Sequence, residues 1–206
     1  MNKTTNEKNA KKFDKYIAKN FGKDYSVHQE FELNGHKIEI LKFPPEKKRP
    51  YQVFVTRGLG ELKMNVPEKL AEYKLERAEL VIRLKEDWNM EENWPLQLLQ
   101  NTASLSFSQN SYLHWGTTIA NDNFTPYGNN TNFCGLILVK PIFLARGKEF
   151  FSLSKTEDIN FYEIIPLYRE EIEFKNEHNP NELLTMLGGF IVNPIDEKRQ
   201  NVCLED

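Results

Sequence analysis

The sequence predicts an α+β fold in a single domain, with a mixed, largely antiparallel central sheet flanked by helices. Three observations predict it: a lysine-flanked helical stripe opens the chain, strands then follow one another in runs, and two helices come last. Runs of strands and runs of helices are typical of α+β proteins rather than of doubly wound ones. With 206 residues, 39% of them hydrophobic, the chain can bury one substantial core without disulfides or a structural metal.

In the first half of the chain, periodicity predicts one helix and four strands. The helix spans residues 6–21, because apolar residues recur there at helical spacing until Gly22. We assign residues 1–24 to an amino-terminal helical part of the same domain and residues 25–206 to its main body. Asn34-Gly35 joins two alternating stretches and is the strongest hairpin signal. The predicted strands are residues 27–33, 36–43, 51–56 and 78–84.

In the second half of the chain, the sequence pattern predicts three strands and three helices. A helix with an apolar face begins near Pro95, since proline is favoured in a first helical turn. Pro141 interrupts an apolar run and must end that strand or form a bulge. The predicted strands are residues 115–120, 133–144 and 159–167, and the last two helices are residues 168–174 and 181–187. Residues 121–132 form a polar loop.

Cysteine content and hydropathy predict a cytoplasmic protein. Cys134 and Cys203 are the only cysteines, which indicates a reducing compartment. The first twelve residues are polar and lysine-rich, so we expect no secretory signal. The longest apolar run, residues 134–139, is too short to cross a bilayer. We therefore expect no contact with a membrane.

The net charge of -3 hides an uneven distribution. Residues 1–50 carry 12 basic and 7 acidic residues, whereas residues 157–206 carry 4 basic and 12 acidic ones. An ordinary solvated surface would explain this pattern. The alternative is an acidic face that attracts a basic partner and repels nucleic acid. The one basic cluster, Lys47-Lys48-Arg49, lies among prolines and predicts a turn between strands rather than a nucleic-acid groove.

The search for catalytic chemistry finds little. None of the four histidines has a second ligand at metal-site spacing, so we predict no metal, no cofactor and no catalytic residue. The turn Arg57-Gly58-Leu59-Gly60 lacks the third glycine and the Lys-Ser/Thr pair of a phosphate loop. Cys134 opens a buried strand, where a thiol is usually inert packing. Glu91-Glu92 and Glu170-Glu171 are pairs of adjacent carboxylates. Because neighbouring side chains do not face one another, we interpret both pairs as solvated surface charge.

Aromatic residues in the predicted loops are the more informative feature. Tyr112, Phe124 and Tyr127 lie in predicted loops, and Trp115 lies where a loop meets the predicted strand 115–120. They can fold back over the core, as aromatic rings commonly do. Alternatively they anchor a protein interface, since Trp and Tyr are enriched at binding hot spots and loops often carry function.

Taken in order, several segments resemble the suppressor-of-fused-like domain family, over about residues 25–202. No single motif is decisive; the order and spacing carry the resemblance. At Leu59-Gly60 the sequence departs from the Met-Ser often found in the family. The matching segments are Tyr-Gln-Val-Phe-Val-Thr-Arg-Gly (51–58), Ala-Glu-Leu (78–80) with Asp-Trp (87–88), Trp-Pro-Leu (94–96) with Leu-Leu (98–99), Trp-Gly-Thr-Thr-Ile (115–119), Lys-Pro (140–141), residues 164–172, Asn-Glu-Leu-Leu (181–184) and Arg199.

The resemblance implies a mixed α/β domain that binds proteins, without known catalysis. Animal members sequester a transcription factor, partly by accepting the partner as an added strand. Bacterial relatives resemble immunity proteins that neutralise a toxin, often a nuclease, and a lone domain fits this branch better. Family position places residues 115–127 near the partner-binding face. The expected partner-binding residues are Trp115, Asp122, Phe124, Tyr127, Glu170 and Glu171.

Three functions follow, and they remain alternatives at this point. The first is an immunity or antitoxin protein that binds a basic toxin domain. The second is a cytosolic regulator or scaffold that holds an endogenous protein or peptide by strand addition. The third is a small hydrolase, which would require a convergent polar pocket such as His114 close to a carboxylate. The oligomeric state is not predicted.

Overall fold

The computed structural model describes residues 3–189 and 193–204. The helices are α1 (Lys3–Asn20), α2 (Trp94–Ser108), α3 (Arg169–Glu177) and α4 (Pro180–Met186). The strands are β1 (Ser26–Leu33), β2 (His36–Phe43), β3 (Tyr51–Arg57), β4 (Ala78–Lys85), β5 (Thr118–Ala120), β6 (Gly135–Val139), β7 (Phe150–Ser152) and β8 (Asp158–Leu167). No helix in the described part of the chain has the length and apolar character needed to cross a bilayer.

All eight strands form one mixed sheet, so the predicted fold class is confirmed. The strand order is β1-β2-β3-β4-β8-β6-β5, and β7 pairs with β8 beyond the end of β6. Among the described strands only β4 and β8 run parallel to each other, because the chain crosses over through α2, β5, β6 and β7 between them. Consequently β1 and β5 lie at the two edges of the sheet.

Helices cover both faces of the sheet, as the period-2 alternation of the strands requires. On one face α2 packs against side chains such as Phe54, Ile82 and Ile164, all fully buried. On the opposite face α1 covers β2, β3 and β4 through Phe13, Ile17 and Phe21. Helices α3 and α4 cover β6 and the end of β8 on that same face.

The predicted hairpin between β1 and β2 is confirmed in its register. Leu33 pairs with His36 across the two-residue turn. Asn34 and Gly35 have φ angles of 50° and 75°, as a type I′ turn requires. The turn predicted at the basic cluster is also present. Glu46 and Arg49 exchange backbone hydrogen bonds there, and the Arg49 side chain is buried against Phe43.

Two predicted strands are shorter in the structure, and one short strand lies outside the predictions. The strand predicted over residues 133–144 ends at Val139, because Pro141 cannot donate to a ladder. The strand predicted from residue 115 begins at Thr118, since Gly116 turns the chain with a φ of 81°. Strand β7 has only three residues and was not predicted, because so short a segment shows no periodicity.

Candidate protein-binding surface

Strand β5 is an edge strand of the sheet, and some of its backbone groups are available for hydrogen bonds to another strand. It pairs with β6 in antiparallel register, Ile119 opposite Leu136. Asn121 N donates to Cys134 O, and Leu138 N donates to Thr117 O. Because hydrogen-bonded pairs alternate in antiparallel ladders, the N–H and C=O groups of Thr118 and Ala120 point away from β6. An added strand could bind these groups.

Hydrogen bonds fix β5 at both ends. Gly116 N donates to Leu138 O at 2.7 Å before the strand. A side chain at Gly116 would strain the positive φ, and its Cβ would lie 3.0 Å from Pro180 of α4. After the strand, Asn121 Nδ2 donates to Thr125 O at 2.7 Å. Hydrogen bonds therefore hold the chain on both sides of β5, and a template that is already in its bound conformation lowers the cost of binding.

The loop after β5 returns to the sheet and forms a rim beside this edge. It opens with a single 3₁₀ turn, Asp122–Phe124, in which Asn123 and Phe124 have φ angles of 53° and 55°. Tyr127 N then donates to Phe133 O at 2.9 Å. We call residues 121–131 the rim loop.

The three predicted aromatic contact residues are half-buried and pack against the core. Trp115 packs against the core cluster that α2 covers and also against the cluster that α3 and α4 cover. The Phe124 ring lies 4.9 Å beneath the Arg169 guanidinium. Tyr127 stacks on Trp94 with centroids 6.0 Å apart and an angle of 10°. These rings hold the rim loop in place, and direct contact of their exposed parts with a partner stays a prediction.

The predicted acidic residues fall into different environments. Asp122 is exposed on the rim loop, and Glu170 is half-buried in the first turn of α3, where Asn201 donates to it. Glu171 is fully buried. The expectation that Glu170-Glu171 is solvated charge is wrong for Glu171, and burial also prevents Glu171 from touching a partner directly. Successive side chains of a helix point about 100° apart, so Glu170 and Glu171 lie on different faces of α3.

Glu171 instead anchors the carboxy-terminal segment of the described chain. Arg199 donates to both carboxylate oxygens, at 2.5 and 2.7 Å, and to Pro166 O. Tyr168 N and Val202 N also donate to this carboxylate. The guanidinium lies 5.0 Å from the Phe133 ring. The sequence did not reveal this contact, because 28 residues separate the two partners.

Ion pairs neutralise much of the acidic carboxy-terminal third. Ten of its twelve acidic residues are described, and six of them accept salt bridges: Glu157, Asp158, Glu163, Glu171, Glu173 and Asp196. Most of the cations come from earlier in the chain, such as Lys74 and Lys85. The charge asymmetry in sequence is therefore much weaker in space.

One of these pairs lies at the bottom of a cleft where β4 and β8 diverge. The Arg83–Glu163 pair is 4% and 1% exposed, and the cleft above it has a volume of about 1000 Å³. Ile195 bridges to Leu84 along β4 beyond the point of divergence. Burial raises the pKa of Glu163, and the Arg83 guanidinium opposes that shift.

The glycine turn after β3 binds a carboxylate of the protein itself. Gly58 N and Gly60 N both donate to Glu79 Oε1 at 3.0 Å, and Thr56 donates to Oε2 at 2.6 Å. The amides that could cradle a phosphate are thus occupied by Glu79. Burial raises the pKa of Glu79 to about 8, although these hydrogen bonds oppose the shift.

This buried carboxyl predicts a pH dependence of stability. The unfolded chain loses the Glu79 proton near pH 4.5, whereas the folded chain keeps it until about pH 8. Unfolding therefore releases a proton in this window, and the free energy of unfolding should fall as pH rises, by up to about 1.4 kcal/mol per unit. Urea denaturation from pH 5 to 8 should show that the free energy of unfolding depends less steeply on pH in Glu79→Gln than in the native protein. Equal slopes in both proteins would contradict it.

The remaining polar candidates do not converge on a reactive group. His114 Nδ1 contacts Trp115 O at 2.7 Å, and its ring lies beside Tyr112. Burial raises the pKa of the Cys134 thiol, which disfavours the thiolate. Within residues 3–189 and 193–204, no cluster of three His, Cys, Asp or Glu residues could hold a metal ion. His114 and Cys134 therefore do not form the convergent polar pocket that a hydrolase would require.

Comparisons with known proteins point to one family. The family model for suppressor of fused protein matches residues 34–200. A suppressor of fused homologue from Neisseria gonorrhoeae is similar over 97% of both chains, with 15% identity and a TM-score of 0.66. No curated protein sequence matches the chain significantly.

Two further solved structures share the fold. A chain of the Sufu–Fu complex is similar over 94% of this chain and 92% of its own length, with 16% identity and a TM-score of 0.63. Drosophila Suppressor of Fused is 16% identical with a TM-score of 0.55. That match covers 81% of this chain but only 42% of the Drosophila chain.

Proposed function

This chain belongs to the suppressor of fused family, and from that premise we propose that it works by binding another protein at β5 and the rim loop. The observation that carries the proposal is the open edge of β5, where Thr118 and Ala120 direct backbone groups outward. One relative of this fold is solved as the Sufu–Fu complex. Strand addition to an open edge is a recurring mode of peptide recognition.

Backbone bonding at β5 cannot supply tight binding alone. Two residues offer at most four hydrogen bonds, each worth about 0.5–1.5 kcal/mol net. A nanomolar complex needs about 12 kcal/mol. Side chains around the edge must provide the rest, and the proposed contributors are Trp115, Asp122, Phe124, Tyr127 and Glu170. Glu171 acts indirectly, by fixing the first turn of α3 beside Phe124.

We propose further that the partner is a basic toxin domain, such as a nuclease, and that the complex blocks its active site in the cytoplasm. The similarity to a bacterial homologue along its whole length supports this branch of the family. Asp122 and Glu170 supply the acidic contacts. Inhibition by occlusion needs only a complementary rigid surface, so no catalytic group is required.

Growth rescue tests this function. Each toxin gene encoded beside this chain is expressed from an inducible promoter, with and without the chain. One neighbouring toxin should become harmless when the chain is present, and the two proteins should co-purify in a fixed ratio. Failure to rescue growth against every neighbour would contradict the toxin proposal.

An endogenous partner is the second candidate, and the Sufu–Fu complex favours it as a protein-binding example of the fold. A pull-down from the cytosol of the producing cell separates the two candidates. A housekeeping protein captured by the native chain, and lost with a β5 variant, would favour the regulator. A neighbour-encoded toxin captured in the same way would favour the immunity protein.

A further inference from the structure

The opposite edge of the sheet, β1, is longer than β5 and is also open. It has eight residues and pairs only with β2 among the described strands. Strands β1 and β5 lie at opposite ends of the strand order. An interaction at the β1 edge would therefore be separate from the proposed function and does not depend on it.

The hairpin register determines which backbone groups of β1 face outward. Leu33 pairs with His36 across the two-residue turn, and Phe31 pairs with Ile38. In such a hairpin these are the hydrogen-bonded pairs. The N–H and C=O groups of Glu30 and Glu32, which alternate with them, must then point away from β2. A bulge between Val27 and Gln29 ends this regular stretch.

The two faces of β1 differ in chemistry. On one face Phe31 and Leu33 are half-buried and extend the core cluster that α2 covers. On the other face Glu30 and Glu32 are exposed. Glu30 forms an ion pair with Lys37 at 2.6 Å, whereas Glu32 forms none with a described residue. An added strand would meet an apolar row on one face and carboxylates on the other.

A second copy of the chain does not fit this edge. An antiparallel pair of β1 strands related by twofold symmetry would place Glu30 or Glu32 opposite Glu30 or Glu32 of the other copy. Directly opposed like charges destabilise a sheet. Acidic side chains and bulges on an edge strand commonly prevent such self-pairing. The same carboxylates would attract a segment that carries lysine or arginine at those positions.

We propose that β1 binds an extended basic segment of another protein as an added antiparallel strand. The segment pairs with residues 29–33. Its Lys or Arg residues lie opposite Glu30 and Glu32, and β-branched or apolar residues between them pack beside Phe31 and Leu33. The bulge limits the interaction to about this length, so the binding is weak unless a second contact adds to it.

A tethered probe tests this site without knowledge of the natural partner. The peptide Lys-Val-Lys-Val-Lys-Val is joined after Asp206 of the full chain by a 40-residue Gly/Ser linker, which spans about 35 Å. Tethering gives an effective concentration in the millimolar range. Amide hydrogen exchange of Glu30 and Glu32 should slow at least threefold relative to the chain that carries the linker alone.

Charge reversal provides the controls. The probe Glu-Val-Glu-Val-Glu-Val should give no protection, and Glu30→Lys/Glu32→Lys should exchange the preferences of the two probes. The matched variant Glu68→Lys/Glu72→Lys changes two exposed carboxylates elsewhere. It should protect Glu30 and Glu32 with the lysine probe and not with the glutamate probe, as the unchanged chain does. The proposal is overturned if the lysine probe leaves both amides unprotected, if it protects Thr118 and Ala120 instead, or if charge reversal has no effect.

Discussion

Replacing Arg83 with methionine is expected to lower the free energy of unfolding by about 3–5 kcal/mol, because Glu163 would be left buried without its cation. Arg83 Nε donates to Glu163 Oε1 at 2.5 Å. The Tyr51 and Phe143 rings lie 5.1 and 5.8 Å from the guanidinium. Its loss would therefore remove both the charge partner and packing in the centre of the sheet.

Urea denaturation at pH 7 measures this loss, and two further variants separate charge from packing. Arg83→Met/Glu163→Leu should recover most of the stability, since no buried charge remains. Lys140→Met, in an ion pair whose lysine is largely exposed, should change stability by less than about 0.5 kcal/mol. The account of the Arg83–Glu163 pair is wrong if Arg83→Met is as harmless as Lys140→Met.

Replacing Ala120 with proline is expected to weaken partner binding about tenfold to a hundredfold while the fold persists. Proline removes one outward-facing donor, and its ring obstructs the approach of an added strand. The Ala120 N–H is not used by β6 in the observed register. The ladder inside the protein should therefore stay intact.

The binding partner for this measurement is the neighbouring toxin identified by growth rescue. Titration calorimetry gives the affinity, and circular dichroism reports whether the fold persists. Ala120→Ser keeps the N–H at the same exposed position and should bind like the native chain. Unchanged affinity in Ala120→Pro would show that the β5 edge is not where the partner binds.

Local patterns in the sequence predicted most of the fold. The Asn34-Gly35 turn, the alternation in β2 and the apolar face of α2 are each decided by a few neighbouring residues. The resemblance added the family, which the match over residues 34–200 confirms. Strand β7 escaped prediction because its three residues are fixed by pairing with β8, a contact that leaves no periodic pattern.

The candidate surface was only partly predictable. The sequence singles out Trp115, Phe124 and Tyr127, but the half-burial of Phe124 and Tyr127 depends on Arg169 and Trp94, which come from other elements. The sequence predicts solvated charge at Glu171, because adjacent carboxylates on a helix do not face one another, whereas the distant Arg199 binds this carboxylate in a buried position. The hydrogen bonds to Glu79 leave no signal in the sequence, because the Gly58 and Gly60 amides that donate them come from the turn after β3.

The most direct test of the account is amide hydrogen exchange of the chain bound to its partner. Binding by strand addition predicts that the Thr118 and Ala120 amides, which face outward in the free chain, become the most strongly protected new positions, together with slower exchange in the rim loop. Protection confined to surfaces remote from β5, with Thr118 and Ala120 exchanging as before, would contradict it.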